Sequence, residues 1–339
     1  MENQPDLVLI DWLTVTSKVD SVDTFIKLLG MDAHGIAWEE KEAYMNGYPM
    51  RKTWEGVTLL YGGREDMGVC LNMSGAGCRT FESHSLVSWV ELLSVFSTNP
   101  SDYNITRLDL AFDDHSGIIP LQALVDDTFE HYYVSKSRWW KVEIGSEGTC
   151  VYHGSPKSDI RFRIYDKAAE RGMDEDTHWV RVEAQLRHEN ASAAIAEILR
   201  DNDVGRTFSG ILRNYLTYRE PSEDSNISRW PIADYWEKLI NSVAAIRLWS
   251  DPGVEYNIFR LERWLVDQCG AAISCWSDIY GLDDLMDKIH LRAVRRSPKY
   301  QRLIDLVGVH NGESLEVKLR DLKLENDRLR LEIVGLKQK

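Results

Sequence analysis

No run of apolar residues in this 339-residue chain approaches the ~18 that a membrane-spanning helix requires, so a protein threaded through a bilayer by helices is excluded. The opening residues, Met1 to Asp6, lack the basic region and apolar segment of a secretory signal, and the expected location is the cytoplasm of its cell or host. Cysteine is sparse. Cys70, Cys78, Cys150, Cys269 and Cys275 are odd in number and scattered, with no Cys-x-x-Cys pair, which suggests neither a disulfide framework nor a zinc site. Positive charge is in deficit as well: 40 Lys and Arg against 54 Asp and Glu give a net charge of −14 and a pI near 5.2, against a non-specific polyanion binder. Global charge is a weak guide where cations gather locally. The stretch from Lys288 to Arg302 contains Lys288, Arg292, Arg295, Arg296, Lys299 and Arg302 and no acid, which makes it a candidate phosphate-contacting patch or a solvated helix end.

What is present is an ordinary globular composition, 43% hydrophobic, enough for a sizeable core and two domains with an appendage. Three stretches share one design. In Ile160 to Lys167 (IRFRIYDK), Ile160, Phe162 and Ile164 fall on one face of a strand and Arg161, Arg163, Tyr165 and Lys167 on the other. In Asn104 to Asp114 (NITRLDLAFDD), Leu108, Leu110 and Phe112 oppose Arg107, Asp109, Ala111 and Asp113. In Trp179 to Arg187 (WVRVEAQLR), Val180, Val182, Ala184 and Leu186 oppose Trp179, Arg181, Glu183, Gln185 and Arg187. Two aspartates on one strand face with only Ala111 between them are costly unless water, cations or a metal compensates them. If the three strands are neighbours in one antiparallel sheet, a carboxylate cluster forms beside a tyrosine, ringed by Arg107, Arg161, Arg163 and Arg181. The phenol then has two uses open to it, a structural hydrogen bond or attack on a phosphate.

Around these strands, Leu7 to Thr16 reads as an opening strand with Asp11 unusual in its middle, and Val22 to Leu29 as a helix closed by Gly30. Residues 43 to 82 read as a β-meander with a hairpin at Asn46-Gly47 and a glycine-rich turn at Ser74 to Arg79 (SGAGCR). Ser85 to Phe96, residues 120 to 134 and Ala191 to Leu199 read as helices, and the region from Pro231 to about 307 as helix-rich. In the tail, Leu315, Leu322, Leu329 and Leu336 occupy d positions and Leu319, Asn326 and Ile333 the a positions, a pattern that predicts a parallel two-stranded coiled coil and a homodimer. The expected organisation is an α+β catalytic domain over 1–220, an antiparallel sheet with helices on one face. A helical, basic region over 221–311 and a coiled-coil tail over 312–339 follow it.

Taken in order, DWLTVT at 11–16, SGAGCR at 74–79, RLDLAFD at 107–113, the stretch from Gly154 to RIYDK at 163–167, RVEAQLR at 181–187 and the SRWP core of 226–236 resemble the rolling-circle replication initiation proteins of plasmids and filamentous-type phages, the Rep_trans type, divergent relatives of the HUH endonucleases. The resemblance covers roughly residues 6 to 240. It implies that Tyr165 is a nucleophile that attacks origin DNA, leaving a 5′-phosphotyrosine and a free 3′-OH. It also implies that Asp109, Asp113 and Glu183 hold one Mg²⁺ or Mn²⁺, and that Lys167 and Arg163 steady developing charge. DNA contacts are expected at Arg107, Arg161, Arg181, Arg292, Arg295, Arg296 and Lys299, and a host helicase and polymerase are expected partners. The histidine pair usual in HUH enzymes is absent as a motif. Two other readings fit the same residues: a relaxase of an integrative or conjugative element with the same chemistry, and a non-catalytic dimeric DNA-binding regulator.

Overall fold

Strict alternation of apolar and polar residues builds one long antiparallel sheet. The computed structural model describes residues 5–32, 37–146, 148–174, 176–245 and 270–292, and the chain forms two compact units, Met1–Val254 and Glu255–Lys339. The first unit begins with β1 (Leu7–Ser17), α1 (Val22–Leu28), the four-strand meander β2 (Glu39–Met45), β3 (Tyr48–Trp54), β4 (Val57–Tyr61) and β5 (Val69–Met73), and the helices α2 (Gly75–His84) and α3 (Trp89–Thr98). It continues with β6 (Tyr103–Asp114), α4 (Leu121–Phe129), the short β7 (Tyr133–Ser135) and a second meander of β8 (Trp140–Gly145), β9 (Gly148–His153), β10 (Ile160–Asp166) and β11 (Val180–Arg187). A single turn, α5 (Lys167–Glu170), interrupts that meander, and α6 (His188–Asp201) and α7 (Val204–Tyr215) follow it.

The strand order is β2-β3-β4-β5-β1-β6-β11-β10-β9-β8. Two halves with the same plan therefore meet at the β1–β6 pair. Each half is a strand, a helix, a four-strand meander whose last strand returns beside the first, and two helices. The expectation that the three patterned strands are neighbours is met: β6, β11 and β10 lie side by side, with Arg181 opposite Asp113, Glu183 opposite Ala111, Gln185 opposite Asp109, and Tyr165 opposite Arg181.

One apolar cluster runs under the sheet. It joins Ile10, Leu13 and Val15 of β1, Leu108, Leu110 and Phe112 of β6, Phe162 and Ile164 of β10, and Val182 and Leu186 of β11 to the apolar stripes of the helices. Helices α3 and α6 pack on β6, and α7 on β1. Each large side chain so buried stabilises the fold by about 1.5–3 kcal/mol, which sets the register, since a one-residue slip would turn the apolar set to the other face. At Asn46-Gly47 both residues have positive φ, 55° and 83°, the backbone that a two-residue hairpin requires.

After α7, β12 (Leu216–Tyr218) pairs with β7, and α8 (Asp234–Ala245) lies in the same unit, its Trp236 fully buried with Nε1 donating to the Leu216 carbonyl at 3.1 Å. Two local readings are corrected. The glycine-rich segment Ser74 to Arg79 is not a turn but the N-cap and first turns of α2, because small residues let that helix start against β4: a Cβ on Gly77 would stand 2.3 Å from the Gly56 carbonyl oxygen. The helix expected over 120 to 134 stops at Phe129, and the chain then turns into β7. In the second unit, α9 (Gly270–Tyr280) and α10 (Leu282–Arg292) form a helix pair around Gly281. Residues 246–269 of the helix-rich region, the residues Arg295, Arg296 and Lys299, and the coiled-coil tail lie outside the described residues, and the side chain of Arg292 does as well. Among the described residues no helix is long and apolar enough to cross a membrane.

Candidate active site

The polar face of β6, β11 and β10 is not a solvent-washed surface. Tyr165, Asp109 and Glu183 are only 4%, 4% and 5% exposed, and Asp113, Arg181, Gln185 and Lys167 are buried with them. Charges removed from water in this way must find partners among themselves. Tyr165 donates from Oη to Glu183 Oε1 at 2.6 Å, and Arg163 Nη1 donates to Glu183 Oε2 at 3.0 Å. Lys167 Nζ reaches Tyr165 Oη at 3.3 Å and is ion-paired to Glu170. The sequence places Lys167 at the end of the tyrosine strand. It is instead the first residue of α5, whose N-cap Asp166 accepts a hydrogen bond from the Ala169 N–H, and from there its side chain returns to the phenol. Burial, and then the negative charge of Glu183, push the Tyr165 phenol well above its ordinary range. The phenol therefore holds its proton at rest and donates it in the hydrogen bond to Glu183.

The two aspartates of β6 are compensated by arginines. Arg181 grips Asp113 through Nε and Nη2 at 2.6 and 2.7 Å, and Trp179 Nε1 adds a third hydrogen bond at 2.8 Å. Arg107 grips Asp109 through Nε and Nη2 at 2.9 and 2.5 Å and lies 3.9 Å over the Trp12 ring. Such planar bidentate pairs fix orientation as well as charge. A further carboxylate that sequence reasoning noted only as odd belongs to the same group. Asp11 sits at the bulge where the β1–β6 register shifts between Ile10 and Trp12, and Arg181 Nη1 bridges to it at 3.0 Å. Gly75 makes room for it, since a Cβ there would stand 2.7 Å from Asp11 Oδ1. Burial raises the Asp11 carboxyl, against the pull of Arg181. Burial also holds Asp109 up at about 6 despite Arg107, with Glu183 and Asp11 adding to the rise.

The structure thus gathers Tyr165, Lys167, Arg163, Glu183, Asp109 and Asp113 on one face, with Arg107 and Arg181 committed to the aspartates. As the side chains stand, no three of the His, Cys, Asp and Glu groups among the described residues are close enough together to hold a metal ion. Asp114, next in sequence, is structural: fully buried, it accepts hydrogen bonds from the N–H groups of Ser116, Gly117, Ile118 and Ile119 and pins the loop into α4. Of the basic patch, Lys288 is ion-paired to Asp284 on the same helix. Sequence reasoning did not assign Asp11 to the site, and placed Trp179 on the polar face without its bond to Asp113. The Asp in the middle of an apolar opening strand was the available signal for the first of these.

A model of the replication initiation factor family matches residues 103–291, and one of the N-terminal domain of rolling-circle replication initiation proteins matches residues 7–96. NicK of Bacillus subtilis (strain 168), which carries the provisional name of DNA relaxase, is 24% identical over 325 residues, 89% of this chain and 90% of its own. The solved structure of a rolling-circle replication initiator protein from Geobacillus stearothermophilus is 31% identical, with a TM-score of 0.65 over 72% of this chain and 98% of that one. The match extends over more than half of the chain and takes in all three strands of the site, and the protein belongs to the replication initiation factor family of Rep_trans type.

Proposed function

We propose that this protein nicks origin DNA to start rolling-circle replication, with Tyr165 as the nucleophile. The observation that carries the reading is the hydrogen bond from Tyr165 to Glu183 on a face that also presents Lys167 and Arg163. The phenolic oxygen attacks the phosphorus, and the bond from phosphorus to the 3′-oxygen breaks. The phenolic proton passes to Glu183 and the departing oxygen takes a proton from water. The products are a 5′-phosphotyrosine and a free 3′-OH for a polymerase. Lys167 and Arg163 oppose the charge that builds on the phenolate and the phosphate. A non-catalytic regulator has no need of a buried phenol bonded to a buried carboxylate.

Asp109, Asp113 and Glu183 are oxygen donors of the kind a divalent cation takes, but as the side chains stand no three such groups among the described residues are close enough to share one ion, and each is held by an arginine. Asp109 and Asp113 stand four residues, about 13 Å, apart along β6, so a shared cation would require the arginine pairs to open and the side chains to move. The raised Asp109 carboxyl reflects burial and crowding by Glu183 and Asp11. The Mg²⁺ or Mn²⁺ that the family resemblance implies would polarise the non-bridging phosphate oxygens when bound, and would draw its ligands from Asp109, Asp113 and Glu183 only after the arginine pairs rearrange. Dimerisation through the leucines of the tail, and delivery of the opened strand to a host helicase and polymerase, complete the proposal.

The test is incubation of the full-length protein with supercoiled and single-stranded origin DNA and Mn²⁺. Nicking with a covalent protein–DNA adduct is expected for the wild type, and neither for Tyr165→Phe. An adduct that persists in Tyr165→Phe overturns the nucleophile, and undiminished nicking in excess chelator overturns the cation.

A further inference from the structure

Beside Tyr165 lies a cleft of about 290 Å³, walled by the β8–β9 hairpin, whose lining includes Tyr152, Arg163, Tyr165 and Cys150 together with two carboxylates, Glu143 and Glu170; Arg161 is not in that lining and meets it through the Tyr152 ring. Nothing in the chemistry above uses its side wall. Tyr152 of β9 stands directly across from Arg163 of β10 in register. Its ring carries the Arg161 guanidinium 4.4 Å from its centroid, with that of Arg163 at 5.9 Å. Arg107, Arg163 and Arg181 each neutralise a carboxylate of the site, whereas Arg161 makes no ion pair among the described residues and its buried Nε has no hydrogen-bond partner. Burial draws its pKa down and the like charge of Arg163 adds to the fall, against the opposing pull of Tyr152, Cys150 and Glu143.

Spacing gives the anion its form. Arg161, Arg163 and Tyr165 alternate along one strand, so successive members stand about 6.7 Å apart. One extended nucleotide can bridge that interval, so a strand whose scissile phosphate meets Tyr165 runs its next phosphates along Arg163 and Arg161. Tyr152 lines the cleft with Arg161 over its ring, and an aromatic group so placed is a platform on which a base can stack only after it has left the duplex stack. We infer that Tyr152 and Arg161 form a nucleotide subsite for single-stranded DNA beside the scissile phosphate, Tyr152 stacking an unpaired base and Arg161 holding a neighbouring phosphate. This rests on the reading of Tyr165 as the nucleophile, and it names the form in which the DNA is held.

The experiment uses full-length Tyr165→Phe protein as the parent, so that no cleavage intervenes, and a fluorescein-labelled 12-mer of thymidine beside the same strand annealed to its complement. Binding is read by anisotropy across a salt series. Tyr152→Ala is expected to weaken single-strand binding about ten-fold or more, and Tyr152→Phe to keep it within two-fold. Arg161→Ala is expected to reduce the slope of log affinity against log salt by about 0.7, and Arg161→Lys to preserve it. Duplex binding should change little in any variant. Single-strand affinity unchanged in Tyr152→Ala, equal losses for duplex and single strand, or a parent that does not bind the 12-mer would each overturn the subsite. Failure here is distinguishable from failure of the nucleophile. An adduct mapped to Tyr165 in the wild type alongside normal 12-mer binding by Tyr152→Ala removes only the subsite, whereas an adduct elsewhere alongside lost binding removes only the nucleophile.

Discussion

The two halves of the sheet share a plan and differ in what their polar faces carry. On the first half, Trp12 Nε1 donates to Thr14 Oγ1 at 2.8 Å, Thr14 donates to Asn72 at 3.0 Å, and Thr53 and Thr58 are hydrogen-bonded across β3 and β4 at 3.1 Å. That run is neutral and satisfied within itself. On the second half, the corresponding face carries Asp109, Asp113 and Glu183 against Arg107, Arg181 and Arg163, with a phenol at the centre. The same backbone supports both, so strand order does not make the site. The site is made by buried charge, in which each carboxylate is paired with an arginine: Asp109 with Arg107, Asp113 and Asp11 with Arg181, and Glu183 with Arg163.

The sharpest way to break this contrast is to remove one oxygen from the charged half. Tyr165→Phe should lower single-turnover nicking by at least about a thousand-fold while circular dichroism is unchanged, since it removes the attacking atom and leaves the sheet. Glu183→Gln should reduce the rate roughly 10²- to 10⁴-fold, and a fluorinated tyrosine at position 165, a stronger acid, should recover part of the loss if Glu183 takes the phenolic proton. No recovery would leave Glu183 without that role.

Stability tests the cost of the buried charge. Arg181→Leu strands Asp113 and Asp11 without their shared cation and should cost about 3–5 kcal/mol, a fall in melting temperature of roughly 10 °C. A fall of less than about 2 °C would mean that water, not Arg181, compensates those carboxylates.

Titration sharpens the same point. Asp109 ionises near 6 in the folded chain against an ordinary 3.8, so folding favours its protonated form. That stabilising contribution is fully present below pH 3.8 and is lost as pH rises through about 6. A cation competes with the same proton, so Mn²⁺ affinity by calorimetry should fall as pH is lowered through about 6, and Asp109→Asn should flatten that dependence. The smallest effect is expected on the neutral half: Asn72→Ala should cost about 1 kcal/mol and leave nicking within two-fold. A larger loss of activity there would extend the site beyond β1.

Much of this was legible in the chain. Period-two alternation over 104–114, 160–167 and 179–187 assigned the strands and their faces, because burial of one side enforces the register. Asn46-Gly47 located its hairpin because both residues tolerate positive φ. Asp11 was visible as an anomaly but not as a site residue, since its link to Arg181 depends on a bulge that local pattern does not encode. Lys167 was placed on the working face by strand spacing and reaches it from a helical turn instead. The glycines at Gly75 and Gly77 looked like a turn because their reason is contact with Asp11 and Gly56, residues distant in sequence.

By itself, then, the sequence determined the three patterned strands, which face of each is apolar, and that the opposite faces carry a tyrosine, three carboxylates and several arginines, because periodicity and the cost of burying charge act locally. Tertiary structure decided the partnerships: that Glu183 meets Tyr165, that Arg181 spans Asp113 and Asp11, and that Arg161 is left over beside Tyr152. Those depend on strand order and register across the sheet, where ångström differences choose which carboxylate each arginine can reach.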